Sequence, residues 1–298
     1  MSHTVQSLPD HQLAPLARAY AEAVSAKRRQ VLIGLVLFVG AFIVAGIVAD
    51  VKPATFFTNL WRFTDYLGRI FTLEQGPYAG RFVLFDVVEW MWGFDKWLKL
   101  LWETILIAYV GTLSGAIGGF VFSFLSARNL TPNSTIGFLA KRWLEFCRTV
   151  PEIVFALIFV VAFGLGPLAG LLAIAVHTFG ALGKQFAEVA ENIDMKPLDG
   201  LTATGATWTE RMRFAVLPQV MSNYASYALL RFEVNVRGAA VMGFVGAGGI
   251  GQDLVEAIRK FYYADVSAIL VLIVLTVMLI DLGTERLRHH FIGLENRS

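Results

Sequence analysis

The chain holds a single cysteine, Cys147, in 298 residues, which rules out an intramolecular disulfide framework. Its five histidines are scattered and no H-E-x-x-H pair occurs, so nothing points to a zinc site or a metal-dependent enzyme. There is no G-x-x-x-x-G-K-[ST] phosphate loop, so the chain does not hydrolyse ATP by that machinery itself. Charge is scarce: Asp, Glu, Lys and Arg make up 16%, against about 25% in a soluble domain. The net charge of +2 gives no reason to expect a nucleic-acid partner. Short alternating segments of the β-barrel kind are missing, as are internal repeats and low-complexity tracts.

What the chain does have is apolar residues, 56% of the total, gathered in blocks. Val31 to Ala49 runs nineteen residues without a charge, enough to cross the hydrocarbon core of a bilayer. Val266 to Ile280 is a second such block. The expected class is an all-α polytopic membrane protein. The first apolar run follows a polar tail of about thirty residues and is long enough to span, so it is read as a span and not as a cleavable signal peptide.

Six spans are expected, near 30–50, 98–124, 142–164, 167–186, 216–239 and 265–283. Lys27, Arg28 and Arg29 precede the first. Arg128, Lys141 and Arg142 fall between the second and third, and Lys196, Arg211 and Arg213 between the fourth and fifth. Arg286 and Arg288 follow the sixth. With an even number of spans all these clusters share one side, and the positive-inside rule makes it the cytoplasm, with both termini. The chain then divides into a cytoplasmic tail (1–29), a first span (30–50), an extracytoplasmic or interfacial segment (51–97), a membrane domain (98–290) and a C-terminal tail (291–298). Trp61, Phe63, Trp90, Trp92 and Trp97 in the long segment suit a membrane-interface belt or a surface-lying amphipathic helix.

Residues 196–219, KPLDGLTATGATWTERMRFAVLPQ, sit between two apolar spans on the cytoplasmic side. Pro197 suits the first turn of a helix. Gly205 can end that helix in the left-handed region. Thr207-Trp-Thr-Glu210 has the capping-box pattern and opens a second helix, which Pro218 should break or kink. So short a helix is not stable alone in water. Leu198, Leu201, Trp208 and Met212 are available to pack it, either on its own protein or in a separate cytoplasmic partner.

Span five carries the polar load. Gln219, Ser222, Asn223, Ser226, Glu233 and Arg237 fall on one helical face. Such a stripe lines a watery pathway or bonds neighbouring helices. Glu233 and Arg237 have the spacing and direction of a helical ion pair, and Arg148 and Glu152 repeat it in span three. Each arginine either serves its pair or offers positive potential to a passing anion. Arg231 and Asn235 face away from the stripe. His177 and Lys184 share a face of span four, where a histidine reads as a helix-packing group. Gly246-Ala-Gly-Gly-Ile-Gly251 satisfies G-x-G-x-x-G, but a membrane span precedes it in place of the strand a dinucleotide site needs.

The 196–219 segment resembles the coupling motif of ABC-importer permeases: Glu-Ala-Ala, three residues, Gly, nine residues, Ile, any residue, Leu-Pro. Gly205, Leu217 and Pro218 match it, Ala215 takes the Ile position, and Asp199, Gly200 and Leu201 replace Glu-Ala-Ala. RTVPE (148–152), GLGPLAGLLAIAVHTFGALGKQFAEVAENID (164–194), RFEVNVR (231–237) and GFVGAGGIGQDL (243–254) resemble the phosphonate or phosphite permease pattern. The resemblance covers about residues 98–290 and implies a type I ABC-importer transmembrane fold in a bacterial inner membrane. It implies a homodimer working with a cytoplasmic ABC ATPase dimer, which holds ATP and magnesium, and an extracytoplasmic phosphonate-type binding protein. No cofactor is then bound by this chain. The motor would push on Pro197, Leu198, Asp199, Gly200, Leu201 and Gly205, with Ala215, Leu217 and Pro218 completing the coupling element, and spans three to five would swing between inward-open and outward-open. The pathway would run past Ser222, Asn223, Ser226, Glu233, Arg237, Arg148 and Glu152, and Gly246, Gly248, Gly249 and Gly251 would belong to the gate. A transporter should hold its anion weakly in the membrane, which leaves the affinity to the binding protein. The solute is open between phosphonate, phosphite, hypophosphite and a phosphate ester. The rival readings are a permease of this class for another small solute, a gradient-driven secondary transporter and a membrane enzyme.

Overall fold

The computed structural model describes residues 10–74, 76–131 and 133–295. Among the described residues the only β pairing is one antiparallel bridge, Thr72 with Phe82. The chain separates into two units, one ending at Asp65 and the other beginning at Tyr66.

The first unit is dominated by α1 (Asp10–Val48). This helix starts well before the apolar run, in what the sequence reads as a tail. The reason is composition: residues 10–30 are rich in Ala, with Arg, Leu and Gln besides, and hold no glycine, and these are strong helix formers. None of the most apolar window of α1 is buried, the condition of a helix whose solvent is lipid. α2 (Pro53–Ile70) follows, with proline at its first position. Phe56, Phe57, Trp61 and Phe63 on it are exposed.

In the second unit α3 (Val87–Trp90) leads into α4 (Phe94–Ser126). Trp90 and Trp97 are buried. The Trp90 indole donates to Ser267 Oγ at 2.9 Å and to the Ala264 carbonyl at 3.1 Å. Both are core residues and not members of an interfacial belt; Trp92 remains exposed.

α5 (Ser134–Thr149) and α6 (Glu152–Phe163) replace the continuous third span that the sequence suggests, meeting at 86°. Pro151 is the cause. The residue before a proline is driven out of the helical region, and Val150 sits at φ −71°, ψ 123°. α7 (Pro167–Glu191), α8 (Lys196–Ala203), α9 (Trp208–Arg211), α10 (Leu217–Met242), α11 (Ile250–Arg259) and α12 (Tyr263–Glu295) complete the unit. Among the described residues four helices are individually long and apolar enough to cross a membrane, and six spans result when each of two bent pairs counts as one.

The unit is built on the contact of α4 with α7. Gly111, Gly115 and Gly119 make a seam of small residues on α4. A Cβ on Gly115 would lie 2.7 Å from the Ala175 carbonyl oxygen, and one on Gly119 would lie 2.8 Å from the Gly183 nitrogen. Only glycine permits this approach, which in lipid replaces the missing hydrophobic drive by close packing. Asn235 of α10 is fully buried against the seam, donating to Thr112 Oγ1 at 2.7 Å and Thr178 Oγ1 at 2.8 Å. The core continues in levels along α4: Trp97 and Leu101 with Ile250, Val266 and Ile269, then Ile107 and Ala108 with Ile174 and Val236, then Phe124 with Leu182, Phe186 and Tyr224.

Candidate functional site

Residues 194–219 form a rigid corner made largely by its own hydrogen bonds. Asp194 Oδ1 accepts from the Lys196 amide at 3.0 Å as α8 begins, with Pro197 in its first turn. At the other end Gly205 has φ +79°. Its amide donates to the Thr202 carbonyl at 3.0 Å and that of Ala206 to Leu201 at 3.1 Å, the paired bonds of a Schellman C-cap. Thr207 then opens α9 with the expected capping box: Glu210 Oε2 accepts from the Thr207 amide at 2.7 Å, and Thr207 Oγ1 accepts from the Glu210 amide at 3.4 Å.

Pro218 does not break the second helix. The turn Met212–Val216 widens into a π-helix, Leu217 donates to the Met212 carbonyl, and Pro218 falls in the first turn of α10. The extra residue absorbs the missing amide, so α9 and α10 form one continuous path. Gln219 clamps this path to α8: its Oε1 accepts from the Asp194 amide at 2.9 Å and its Nε2 donates to the Ala215 carbonyl at 2.8 Å.

The packing of α8 answers which way its apolar residues turn. Leu198 and Met212 are buried, and Leu201 and Trp208 half-buried, within this chain's own core. Trp208 Nε1 also donates to the Leu130 carbonyl at 2.9 Å. A two-turn helix therefore needs no partner to hold it. Ala215 is buried and Leu217 half-buried behind it, while Pro197, Asp199, Gly200 and Gly205 are exposed. What α8 offers outward is a small, polar face.

The polar stripe of α10 divides between two neighbours. Asn223 lines an open polar groove of about 580 Å³ together with Gln185, Glu188, Asn192, Gln219 and Tyr227. Ser222 is half-buried, and Ser226 is buried with its hydroxyl unpartnered. Higher up, α12 takes the place of the groove. Arg237 donates to Asp281 Oδ1 at 3.0 Å and Oδ2 at 2.9 Å, and Glu233 accepts from the Thr284 hydroxyl. The expected Glu233–Arg237 pair is thus replaced by contacts to Asp281 and Thr284 of α12.

The expected Arg148–Glu152 pair also fails, because the break at Pro151 removes the helical geometry between them. The Arg148 side chain is exposed. Glu152 instead sits with its Oε2 3.8 Å from Arg231 Nη2 and 3.6 Å from His177 Nδ1. Arg231 and His177 are hydrogen-bonded to each other. Sequence reading put Arg231 off the pathway and His177 among packing groups. Their single legible signal was a charge in the middle of an apolar helix, which in a membrane marks a functional candidate.

The glycine loop between α10 and α11 is held at both edges. Gly246, Gly248 and Gly249 have φ between +76° and +86°. The Gly246 carbonyl accepts from the Gly166 amide at 2.9 Å. Thr104 Oγ1 of α4 accepts from the Ile250 amide at 2.9 Å, capping α11, and Gly251 packs against the Ala240 carbonyl. Beside the loop lies a cavity of about 600 Å³ lined by Asp253, Glu256, Arg259 and Lys260 among others. Among the described residues no group of three metal-ligating side chains occurs.

A glycine-seamed helical unit, a short exposed helix clamped to a polar span and a glycine loop at that span's other end are the architecture of a polytopic membrane subunit. Solved structures agree on the fold. The chain aligns with an inward-facing MetNI methionine ABC transporter at TM-score 0.60 and 21% identity, over 69% of this chain and 98% of that one. A bacterial importer of the polysaccharide alginate aligns at TM-score 0.58 and 11% identity, over 82% and 95%. Residues 119–292 match the model of the binding-protein-dependent transport system inner membrane component family, and the chain belongs to it. Among relatives, the phosphite transport system permease protein PtxC of Stutzerimonas stutzeri is 40% identical over 199 residues, 67% of this chain and 72% of that one. A putative cryptic phosphonate transport system permease protein, PhnE2 of Escherichia coli K12, is 51% identical over 122 residues, 41% of this chain and 100% of that one. The chain is thus the inner-membrane permease subunit of an ABC importer, a transport component and not an enzyme, and it works with an ATPase and a binding protein.

Proposed function

We propose that the solute is a phosphorus oxyanion of the phosphonate or phosphite class. The identity to permeases named for these solutes carries this reading; the cationic side chains Arg148 and Arg231 at the bend of α5 and α6 are in keeping with an anion. Two copies of this chain enclose the pathway, each contributing the groove of Asn223 and Gln185. The exposed face of α8, with Asp199 and Gly200 at its centre, docks into the ATPase, which binds ATP and magnesium. The clamp from Gln219 to Asp194 transmits movement of α8 to α10. The Gly246–Gly251 loop gates the extracytoplasmic end, and the charged cavity beside it receives the binding protein.

The test is ATPase stimulation of the assembled transporter by a panel of binding proteins loaded with different anions. Stimulation by phosphite- or phosphonate-loaded protein, and none by protein loaded with sulfate or an amino acid, is the expected result. Stimulation by the amino-acid carrier alone would overturn the solute assignment.

A further inference from the structure

Glu152 at the start of α6, His177 in the middle of α7 and Arg231 in the middle of α10 meet with their bonding capacity only partly used. An arginine donates only, so His177 Nδ1 accepts from Arg231 Nη2. The histidine proton then sits on Nε2, which donates to the Arg148 carbonyl at 3.2 Å. The ring is then neutral, and Glu152 Oε2 lies 3.6 Å from the same Nδ1, whose lone pair Arg231 already occupies. Arg231 lies 3.8 Å from Glu152 Oε2, within reach of Coulomb attraction and beyond a hydrogen bond. Glu152 Oε2 and Arg231 Nε are both buried without a hydrogen-bond partner.

Elsewhere on α10 an arginine closes its bonds: Arg237 donates to both oxygens of Asp281 on α12 at 2.9 and 3.0 Å. The Glu152–Arg231 pair cancels charge but leaves a donor and an acceptor unpaired, which is costly away from water. The carboxylate also sits at a joint of the chain. It follows the 86° break at Pro151 and lies against Gly238, where a Cβ would press on it. The side chains of Glu152, His177 and Arg231 are 23%, 17% and 16% exposed, so the cluster is not sealed from its surroundings.

We propose that Arg231 is a transient oxyanion-binding site, and that the Glu152 carboxylate occupies it as a tethered stand-in when no solute is present. The inference rests on the phosphorus-oxyanion reading above. An arriving tetrahedral oxyanion takes the Arg231 donors and the carboxylate swings away. His177, neutral and anchored to the Arg148 carbonyl, keeps the guanidinium aimed. A tethered competitor lowers the apparent affinity through its high effective concentration, which suits a site that must also release. Neutral solutes cannot displace a carboxylate and do not bind.

The test uses the permease with its ATPase in nanodiscs, without binding protein, and follows ³¹P line broadening of phosphite and methylphosphonate. The wild-type complex should broaden both lines. Glu152→Gln should tighten binding about tenfold by removing the competing charge, and Arg231→Gln should abolish it. Glu152→Asp, which draws the carboxylate back by one methylene, should tighten it to an intermediate degree and stands in if the Gln variant fails to assemble. A merely structural pair predicts lowered thermal stability with unchanged broadening, and that result overturns the site. Cellular uptake of the same anions by the complete importer reports the solute class separately. Uptake with equal broadening in every variant sinks the Arg231 site alone, whereas absence of both uptake and broadening sinks the oxyanion reading with it.

Discussion

At the scale of single residues, Gly205 and Asn235 do opposite kinds of work. Gly205 ends α8 at φ +79°, where a side chain strains the backbone by about 1–2 kcal/mol. Gly205→Val should therefore loosen the α8 cap. Co-purification of the ATPase should fall roughly 5- to 30-fold, the range that strain corresponds to, while the membrane unit keeps its unfolding temperature. Unchanged co-purification would remove α8 from the docking role. Asn235 ties three helices together through Thr112 and Thr178. Hydrogen bonds of this type in membranes average about 0.6 kcal/mol each, and truncation adds a small cavity. Asn235→Ala should lower stability by about 1–2 kcal/mol, seen as a drop of about 2–8 °C in the detergent-solubilised complex. Transport measured below that temperature should survive, since Asn235 faces away from the groove.

At the scale of elements, the π turn before α10 is the least ordinary feature. Pro218 lacks the amide that would bond the Phe214 carbonyl, and the turn Met212–Val216 widens to accommodate it. Pro218→Ala restores that donor. The helix should then rewind to α geometry, and dropping one residue from the turn rotates α9 by about 100°. Trp208 would leave the Leu130 carbonyl. A red shift of tryptophan emission, with lost stimulation of the ATPase by loaded binding protein but retained co-purification, is the expected outcome. An unshifted spectrum would mean that packing of Met212 and Val216, and not the proline, sets the turn. The contrast between these positions shows what was legible in the sequence. The ends of α8 and the start of α9 were readable because their caps are local: Pro197, Gly205, Thr207 and Glu210 act on amides within a few residues of themselves. The fates of Glu152, Glu233 and Arg237 were not. Their spacing allowed local pairs, and the partners that won, Arg231, Thr284 and Asp281, lie 44 to 79 residues away in sequence. Pro151 stood in view within RTVPE, but a continuous apolar pattern on its C-terminal side masked the bend.

At the scale of the whole molecule, the proposed pathway is only half enclosed by one chain. Gln185, Glu188, Asn192, Asn223 and Tyr227 line a groove that is open on one side, and polar side chains are costly wherever such an opening faces lipid. In the assembly proposed above, a second copy related by a two-fold axis covers the groove with an identical one and closes it. Asn223, exposed on α10, then lies close to the axis. In a Cys147→Ala background, Asn223→Cys should form an oxidant-dependent dimer of this chain, visible as a doubled band on a non-reducing gel. Uptake should be blocked by the cross-link and restored by reductant, because the bond closes the groove at its polar end. The native mass of the unmodified complex should contain two copies of this chain. A cross-link formed only with a different permease subunit, or a mass with one copy and one such subunit, would show that the groove is completed by a non-identical partner.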